Sequence, residues 1–316
     1  MKVLAIESSC DEFAIAILDE GKILCNVISS QIDEHKEYGG VVPELAARLH
    51  LENCGWVLQA ALVQSQVKLE QIDQIAYTDH PGLIGSLIIG KVVAQTLGLY
   101  LNKPVQGYDH IQGHIFGTAI NHDFIYPVLA MVASGGHTQI ELVSSPNDFQ
   151  IIGATEDDAI GECYDKVARV MGLSYPGGPV LDKLAQSGNP NAYDLPLAKN
   201  DATYDFSYSG LKTAMINLIH HLNQKNEPLP LNDLAASFQK QAMKIIEIKL
   251  ARAIETYHPK TLTVGGGVSA NSWLRTIIQQ LGTKYGLEQT IIPDLVYSTD
   301  NGAMIAKLAY EKQKVS

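Results

Sequence analysis

Cysteine is scarce in this chain: there are four among 316 residues, Cys10, Cys25, Cys54 and Cys163, and no two are spaced as C-x-x-C. That pattern excludes a zinc knuckle and a dense disulfide framework, and reduced thiols are expected. Basic residues are also short, with 23 Lys and Arg against 34 Asp and Glu, a formal charge of −11. A protein that grips nucleic acid by bulk charge has the opposite balance, so a nucleic-acid partner must find a local basic patch or a helper protein. One candidate patch lies in "FQKQAMKIIEIKLARAIET", where Lys240 and Lys244 share one helical face and Lys249 and Arg252 another; a solvated amphipathic face is the simpler reading. Long apolar runs are missing too. The most apolar stretch, "GLIGSLIIGKVVAQ", is interrupted by glycines and Lys91, and the start, "MKVLAIESSCDE", turns acidic at Glu7. Neither a signal peptide nor a membrane span is expected, and the expected location is the cytoplasm. Neither the P-loop pattern G-x-x-x-x-G-K-[ST] nor a strand-embedded G-x-G-x-x-G occurs, which disfavours those nucleotide folds.

What the chain does have is 46% hydrophobic residues, enough to build two lobes. It also repeats itself. "VLAIESSCDEFAIAILDEGKIL" from Val3 aligns with "VLAMVASGGHTQIELVSSPNDF" from Val128, so that Val3, Leu4, Ala5 and Ser9 fall on Val128, Leu129, Ala130 and Ser134. In both copies an apolar strand enters a small polar turn and leaves as a second strand, with Phe13, Ile15 and Ile17 alternating in one and Thr138, Ile140 and Leu142 in the other. A second pair, "QIAYTDHPGLIGSLIIGKVVAQTL" and "TLTVGGGVSANSWLRTIIQQL", reads twice as strand, glycine-bearing loop and helix. Irregular inserts, "QSGNPNAYDLPLAKNDATYDFSYSG" and "NQKNEPLPLND", are expected as surface loops, with a helix resuming near Asp233.

A duplication of hairpin plus strand-loop-helix resembles the two-lobed actin, Hsp70 and sugar-kinase fold, an α/β fold with duplicated mixed sheets around a nucleotide cleft. The resemblance implies a lobe over 1–125, a second lobe with a helical insert over 126–299, and a terminal helix over 300–316 that packs back on the first. It also implies that the hairpin turns clasp phosphate. The residues agree independently: Gly135 and Gly136 let backbone N–H groups approach phosphate oxygens, and Gly265, Gly266 and Gly267 let a loop lie flat against a base or ribose.

"DHIQGH" places His110 and His114 one helical turn apart, where they can share a metal ion. Alone, the pair is equally compatible with coincidence. In a zinc protease of the H-E-x-x-H kind the residue after the first histidine is the general base, and here it is Ile111.

Eight stretches bear on this: "IESSCDE", "GGVVPELAARLH", "HIQGH", "SGGHT", "YDKVARVMGLSYPGGP", "FSYSGLKTA", "GGGVSAN" and "STDNGAMIA". In this order over nearly the whole chain they resemble the bacterial tRNA N(6)-adenosine threonylcarbamoyltransferases, formerly described as glycoprotein endopeptidases. The resemblance implies one divalent metal, Fe2+ before Zn2+, on His110, His114 and Asp300, although an aspartate ahead of an apparent helix start ordinarily serves as its N-cap. It implies an adenylate or ATP site at Val132, Ala133, Ser134, Gly135 and Gly136, with Asp165, Gly178, Asp182 and Asn271 on the threonyl and nucleoside ends. Without it, Asp165 would be read with Asp158 and Glu162 as a solvated acidic stripe of one helix. Asp11 and Glu12, at the first hairpin tip, are placed to orient water or a proton. The role of His137 stays open.

The implied reaction moves a threonylcarbamoyl group from threonylcarbamoyl-AMP to the exocyclic amine of the adenosine beside the anticodon, releasing AMP. The implied partners are tRNA, a metal-site-poor paralogue, a P-loop ATPase and a threonylcarbamoyl-AMP synthase, with a homodimer admitted for the isolated chain and no membrane. The helix bearing Leu45, Leu49 and Trp56 is the candidate docking surface, although such a stripe is ordinarily core. The sequence departs from the family pattern at Asp109 and Gln112, where His and Glu are usual, and at His80, where the family has a "TxGPG" stretch. An ATPase or small-molecule phosphotransferase of the same fold, a metalloprotease and a non-catalytic scaffold are the competing readings.

Overall fold

In the computed structural model, which describes residues 1–224 and 228–315, the chain forms two compact units, Met1–Asp123 with Pro293–Ser316, and Phe124–Ile292. The first opens with strands β1 (Lys2–Glu7), β2 (Glu12–Asp19) and β3 (Lys22–Ser30), followed by helices α1 (Ile32–Lys36) and α2 (Pro43–Ser65). Strand β4 (Gln74–His80), helix α3 (Ile84–Leu101), strand β5 (Val105–Asp109) and helix α4 (His110–Gly117) complete its first stretch. The sheet runs β3-β2-β1-β4-β5, antiparallel through the hairpins and parallel from β1 onward.

The second unit holds β6 (Val128–Ala133), β7 (Thr138–Ser145), β8 (Asp148–Ala154), α5 (Ile160–Val170), α6 (Gly177–Ala185), α7 (Ser209–Asn223), α8 (Leu231–Tyr257), β9 (Thr261–Gly265), α9 (Ser272–Tyr285) and β10 (Gln289–Ile291). Its sheet order, β10-β9-β6-β7-β8, is the first sheet's order strand for strand, with the same parallel and antiparallel pairings. The duplication legible at Val3 and Val128 is therefore a duplication of topology. Helix α10 (Gly302–Lys314) then returns to pack on β1 and β2.

Some expectations change on contact with the fold. β2 does not alternate: Ala14, Ala16 and Leu18 are as buried as Phe13, Ile15 and Ile17, because α2 covers one face of the hairpin and α10 the other. The small Ala16 matters there, since a Cβ on Gly302 would lie 2.5 Å from its backbone nitrogen. The glycines of the most apolar stretch do not break it. α3 runs through Gly85, Gly90 and Gly98, and a Cβ at Gly90 would meet Ser8 Oγ at 2.1 Å, so this glycine lets the helix press onto β1. By length and composition alone α3 is apolar enough to cross a membrane; here it packs on β4 and α2.

Asp158 precedes α5 and does not share a helical stripe with Glu162 and Asp165; Lys166 and Lys212 both pair with it. The longer insert is only partly surface, because Leu195, Phe206 and Tyr208 are buried. Of the shorter insert, residues 225–227 lie outside the described residues, and α8 resumes at Leu231. The proposed basic patch is also corrected. Lys249 is fully buried and donates to Thr203 O at 2.9 Å, Arg252 donates to Asp201 O at 2.7 Å, and Lys240 reaches Asn191. The insert buries Lys249 and engages Lys240 and Arg252, while Lys244 stays exposed beside Glu247.

Candidate active site

In the first unit α4 starts where Asp109 accepts the Gln112 N–H at 2.9 Å, a side-chain N-cap. That start sets His110 and His114 one turn apart, with ring centroids 4.5 Å from each other and exposures of 5% and 2%. Asp300 Oδ1 lies 3.1 Å from His114 Nε2 and 3.7 Å from His110 Nε2, and all three residues can present ligand atoms within 4.8 Å of one another. Asp300 is not the cap of α10. Asn301 is, accepting the Met304 N–H at 3.1 Å, which leaves the neighbouring carboxylate directed at the imidazoles. The glycines of "HIQGHIFG" permit this approach: a Cβ on Gly113 would lie 2.7 Å from Ile305 Cδ1, and one on Gly117 2.9 Å from Met304 Cβ. A side chain at Gly117 would press on Met304 close to the α10 backbone, whereas at Gly113 it would meet the flexible tip of Ile305.

The outer side of His110 is supplied by Ser9 and Glu7 of the "IESSCDE" stretch, residues to which the sequence assigns no role. Its Nδ1 sits 3.1 Å from Ser9 Oγ and 3.3 Å from Glu7 Oε2. Glu7 is fully buried and also accepts from Ser9 N at 2.6 Å and from Thr78 Oγ1. A proton on Nδ1 shared with Glu7 leaves the Nε2 lone pair for the inner side. Burial alone would depress the His110 pKa, but the Glu7 and Asp300 carboxylates outweigh it and raise it to about 9. Glu7 is likewise lowered, its own burial outweighed by His110. Glu7 falls inside "IESSCDE", but as a carboxylate ending an apolar strand it has nothing in the sequence to tie it to His110.

Both ring nitrogens of His114 are buried with no hydrogen-bond partner, since the 3.1 Å approach of Asp300 is badly aligned for one. An unmet buried polar group costs about 1–3 kcal/mol. Two imidazoles and a carboxylate with one nitrogen pair unmet fit a divalent cation of the Zn2+ or Fe2+ type. Beside them Asp11 and Glu12 are buried at the hairpin tip, and burial, then Asp11 and Asp300, push the Glu12 carboxyl well up. Ile111, where a zinc protease needs its base, is 5% exposed and part of the core.

The family departures cluster. His80 Nε2 is 3.3 Å from Asp109 Oδ2, and Gln112 Oε1 accepts from Lys312 at 2.8 Å.

In the second unit the β6–β7 pairing ends at Ala133 and Thr138, leaving residues 134–137 as the turn. Ser134 N–H donates to His137 O at 2.8 Å, and His137 N–H to Ser134 Oγ at 3.1 Å. Gly135 and Gly136 are exposed, and at either one a Cβ would have no protein atom within 4 Å. Val132 and Ala133 have fully buried side chains, so only their backbone can meet a ligand. Gly266, at φ +86°, brings the glycine loop against the end of β6, where a Cβ would lie 2.4 Å from Ala133 O.

Asp165 accepts the Gly177 N–H at 2.7 Å and so holds the start of α6 next to the half-buried Gly178. Burial raises its pKa, with the Gly177 and Gly178 N–H groups opposing. Asp182 accepts from Gln239 Nε2 at 2.9 Å and Ser272 Oγ at 2.8 Å. Asn271 caps α9 and donates to Gln239 Oε1 at 2.9 Å. Gln239, invisible as a site residue in the sequence, joins the two.

A family model described as tRNA N6-adenosine threonylcarbamoyltransferase matches residues 22–307. The protein of that name from Mesoplasma florum is 66% identical over 316 residues, all of both chains. Among solved structures, full-length HypF in its phosphate- and nucleotide-bound form superposes with TM-score 0.65 at 13% identity, over 99% of this chain and 46% of that one. The ROK hexokinase of Thermus thermophilus gives TM-score 0.54 at 15% identity, over 100% of both chains. The structures establish an actin- and sugar-kinase-like α/β fold, while the sequence match over nearly the full length places the chain in the tRNA N6-adenosine threonylcarbamoyltransferase family.

Proposed function

We propose that the chain moves the threonylcarbamoyl group of threonylcarbamoyl-AMP to the exocyclic amine of the adenosine beside the anticodon, in tRNAs reading codons that begin with A, with AMP as leaving group. The observation that carries this reading, within that family, is His114: a buried imidazole with both nitrogens unmet, one turn from His110 and 3.1 Å from Asp300. In this reading His110, His114 and Asp300 hold one divalent ion, Fe2+ before Zn2+. When bound, such an ion supplies Lewis acidity to a carbonyl or phosphate oxygen.

The amine lone pair is delocalised into the purine, so the residues must do more than bring two molecules together; they must stabilise charge on the carbonyl oxygen and on the departing phosphate. Residues 132–136 line the phosphate, with the Gly135 and Gly136 N–H groups giving the close approach, since the Ser134 N–H is taken by His137 O. Asp165 shapes the Gly177–Gly178 backbone, and Asp182 and Asn271, tied through Gln239, orient the threonyl and nucleoside ends. Glu7 fixes the tautomer of His110. Glu12, its carboxyl pushed up by burial and its acidic neighbours, stands at the hairpin tip beside Asp11 as the acid–base candidate. The first lobe with its terminal helix carries the metal, and the second carries the nucleotide.

The net charge of −11 supports helpers for the tRNA step: a metal-site-poor paralogue, a P-loop ATPase and a separate synthase of the adenylate, all cytoplasmic, with a homodimer for the isolated chain. The docking surface in this reading is α2. Its core positions are Ala46, His50, Val57 and Ala61, whereas Leu45 and Leu49 are both half-buried and Trp56 is 48% exposed.

The test is incorporation of labelled threonine into unmodified tRNA with the adenylate supplied. Adenosine-specific label with matching AMP release is expected. Phosphate transfer to a free acceptor, with no label on tRNA, would favour a phosphotransferase instead.

A further inference from the structure

Behind the first hairpin turn lies a buried polar cluster that the proposed chemistry does not use: Gln31, His35 and His50, each 1% exposed or less. Gln31 follows β3, His35 lies on α1 and His50 on α2. Such groups are costly in a core otherwise built from Leu4, Ile6, Phe13 and Val57.

Their contacts lead to the turn. The Gln31 N–H donates to Asp11 O at 3.1 Å, and Gln31 Nε2 stands 2.6 Å from His50 Nδ1 and 3.5 Å from Ala46 O. With the amide N–H as donor, Nδ1 is the acceptor and the His50 proton lies on Nε2. Burial holds the His50 pKa down at about 4, so it acts as a neutral hydrogen-bonding group. The opposite flank of the turn is held by α3, where the Leu83 N–H donates to Ser9 O at 2.7 Å and Ser86 Oγ to Cys10 O at 3.2 Å. Ser9 Oγ in turn meets His110 Nδ1 at 3.1 Å.

We propose that Gln31 and His50 are positioning residues for the His110, His114 and Asp300 centre: they clamp the turn between β1 and β2 to α2, and that turn presents Ser9 to the outer nitrogen of His110. The proposal rests on the metal reading above. His35 is the internal control. It lies in the same cluster, but its Nδ1 accepts from Val42 N at 3.3 Å, away from the path through Gln31 and His50.

The experiment titrates the metal-stripped full-length chain with Co2+, reading affinity and the visible absorption of the bound ion, alongside the thermal midpoint. His50→Leu and Gln31→Met should bind Co2+ roughly 10-fold more weakly, with altered band intensities, the low end of what outer partners of a ligating imidazole contribute. His50→Asn, which keeps an amide near the Nδ1 position, should recover most of the affinity. His35→Leu should lower the midpoint while keeping wild-type affinity and spectrum. Wild-type Co2+ binding by folded His50→Leu or Gln31→Met overturns the proposal, as does an equal loss in His35→Leu. If His50→Leu does not fold, Gln31→Met and His50→Asn decide by the same readings. Failure of the unmutated chain to bind Co2+ overturns the metal reading instead.

Discussion

His80 Nε2 faces Asp109 Oδ2 at 3.3 Å, where the last residue of β4 pairs in register with the last residue of β5. Both are positions where the sequence departs from the expected family pattern, and the structure puts them in contact. Because Asp109 also caps α4, the clean partner is Asn, which retains the cap. With His80 64% exposed, a double-mutant cycle of His80→Ala and Asp109→Asn should return a coupling of about 0.2–1 kcal/mol by denaturant unfolding. Strict additivity would show two independent residues.

Removing a ligand should empty the metal centre and spare the fold. His110→Ala and Asp300→Ala are expected to lose metal at least about 100-fold in affinity, and Glu7→Gln about 10–100-fold as an outer partner. Metal analysis after dialysis, with circular dichroism as the fold control, measures this. Stoichiometric metal in His110→Ala and Asp300→Ala would sink the assignment.

Gly136→Val separates binding from stability. No protein atom lies within 4 Å of the position a Cβ would take, so the thermal midpoint should move little, by a surface-like amount within about 0.5 kcal/mol. Adenylate and ATP affinity should fall at least about 10-fold, because the branched side chain occupies the approach of phosphate to backbone N–H. Unchanged calorimetric binding would make the turn merely structural.

Acid should weaken the first unit through His50. Its folded pKa, held down by burial at about 4 against an ordinary 6.5, is depressed, so the unfolded chain takes up the proton first. The stability is complete above 6.5 and is lost as pH falls from 6.5 toward 4, a drop on the order of 3 kcal/mol at most. Wild type should lose that increment relative to His50→Asn in urea unfolding across this window. Parallel curves would refute it.

Transfer by the chain alone should be slow. With −11 formal charges and Lys249 and Arg252 engaged by the insert, tRNA affinity should be weak and fall steeply with salt. Trp56→Glu on α2 should abolish stimulation by the partner proteins and leave the unstimulated rate intact. Rapid turnover without partners contradicts the partner requirement; undiminished stimulation of the variant removes α2 as the docking face.

The duplicated hairpins are readable because Val3 to Ser9 and Val128 to Ser134 repeat a pattern that local backbone preference enforces. His110 and His114 are readable for the same reason, being one helical turn apart. Glu7 is not, because a strand-end carboxylate acquires meaning only when β4 supplies Thr78 and α4 supplies His110. Gln239 is hidden likewise, its two partners lying on α6 and next to α9. The error over Lys249 has the opposite cause. Helical spacing places it on a face, but only the insert carrying Asp201 and Thr203 determines that the face is covered.

The return of α10 to β1 and β2 has a temporal meaning. Two residues of the proposed metal centre sit in α4 and the third just ahead of the final helix, so on the ribosome that centre cannot close until Asp300 has emerged. A nascent chain therefore carries the histidines through most of its synthesis without the carboxylate that completes them. On the metal reading proposed above, loading follows translation, and a cut between Pro293 and Asp300 should weaken cation binding before it disturbs the first sheet.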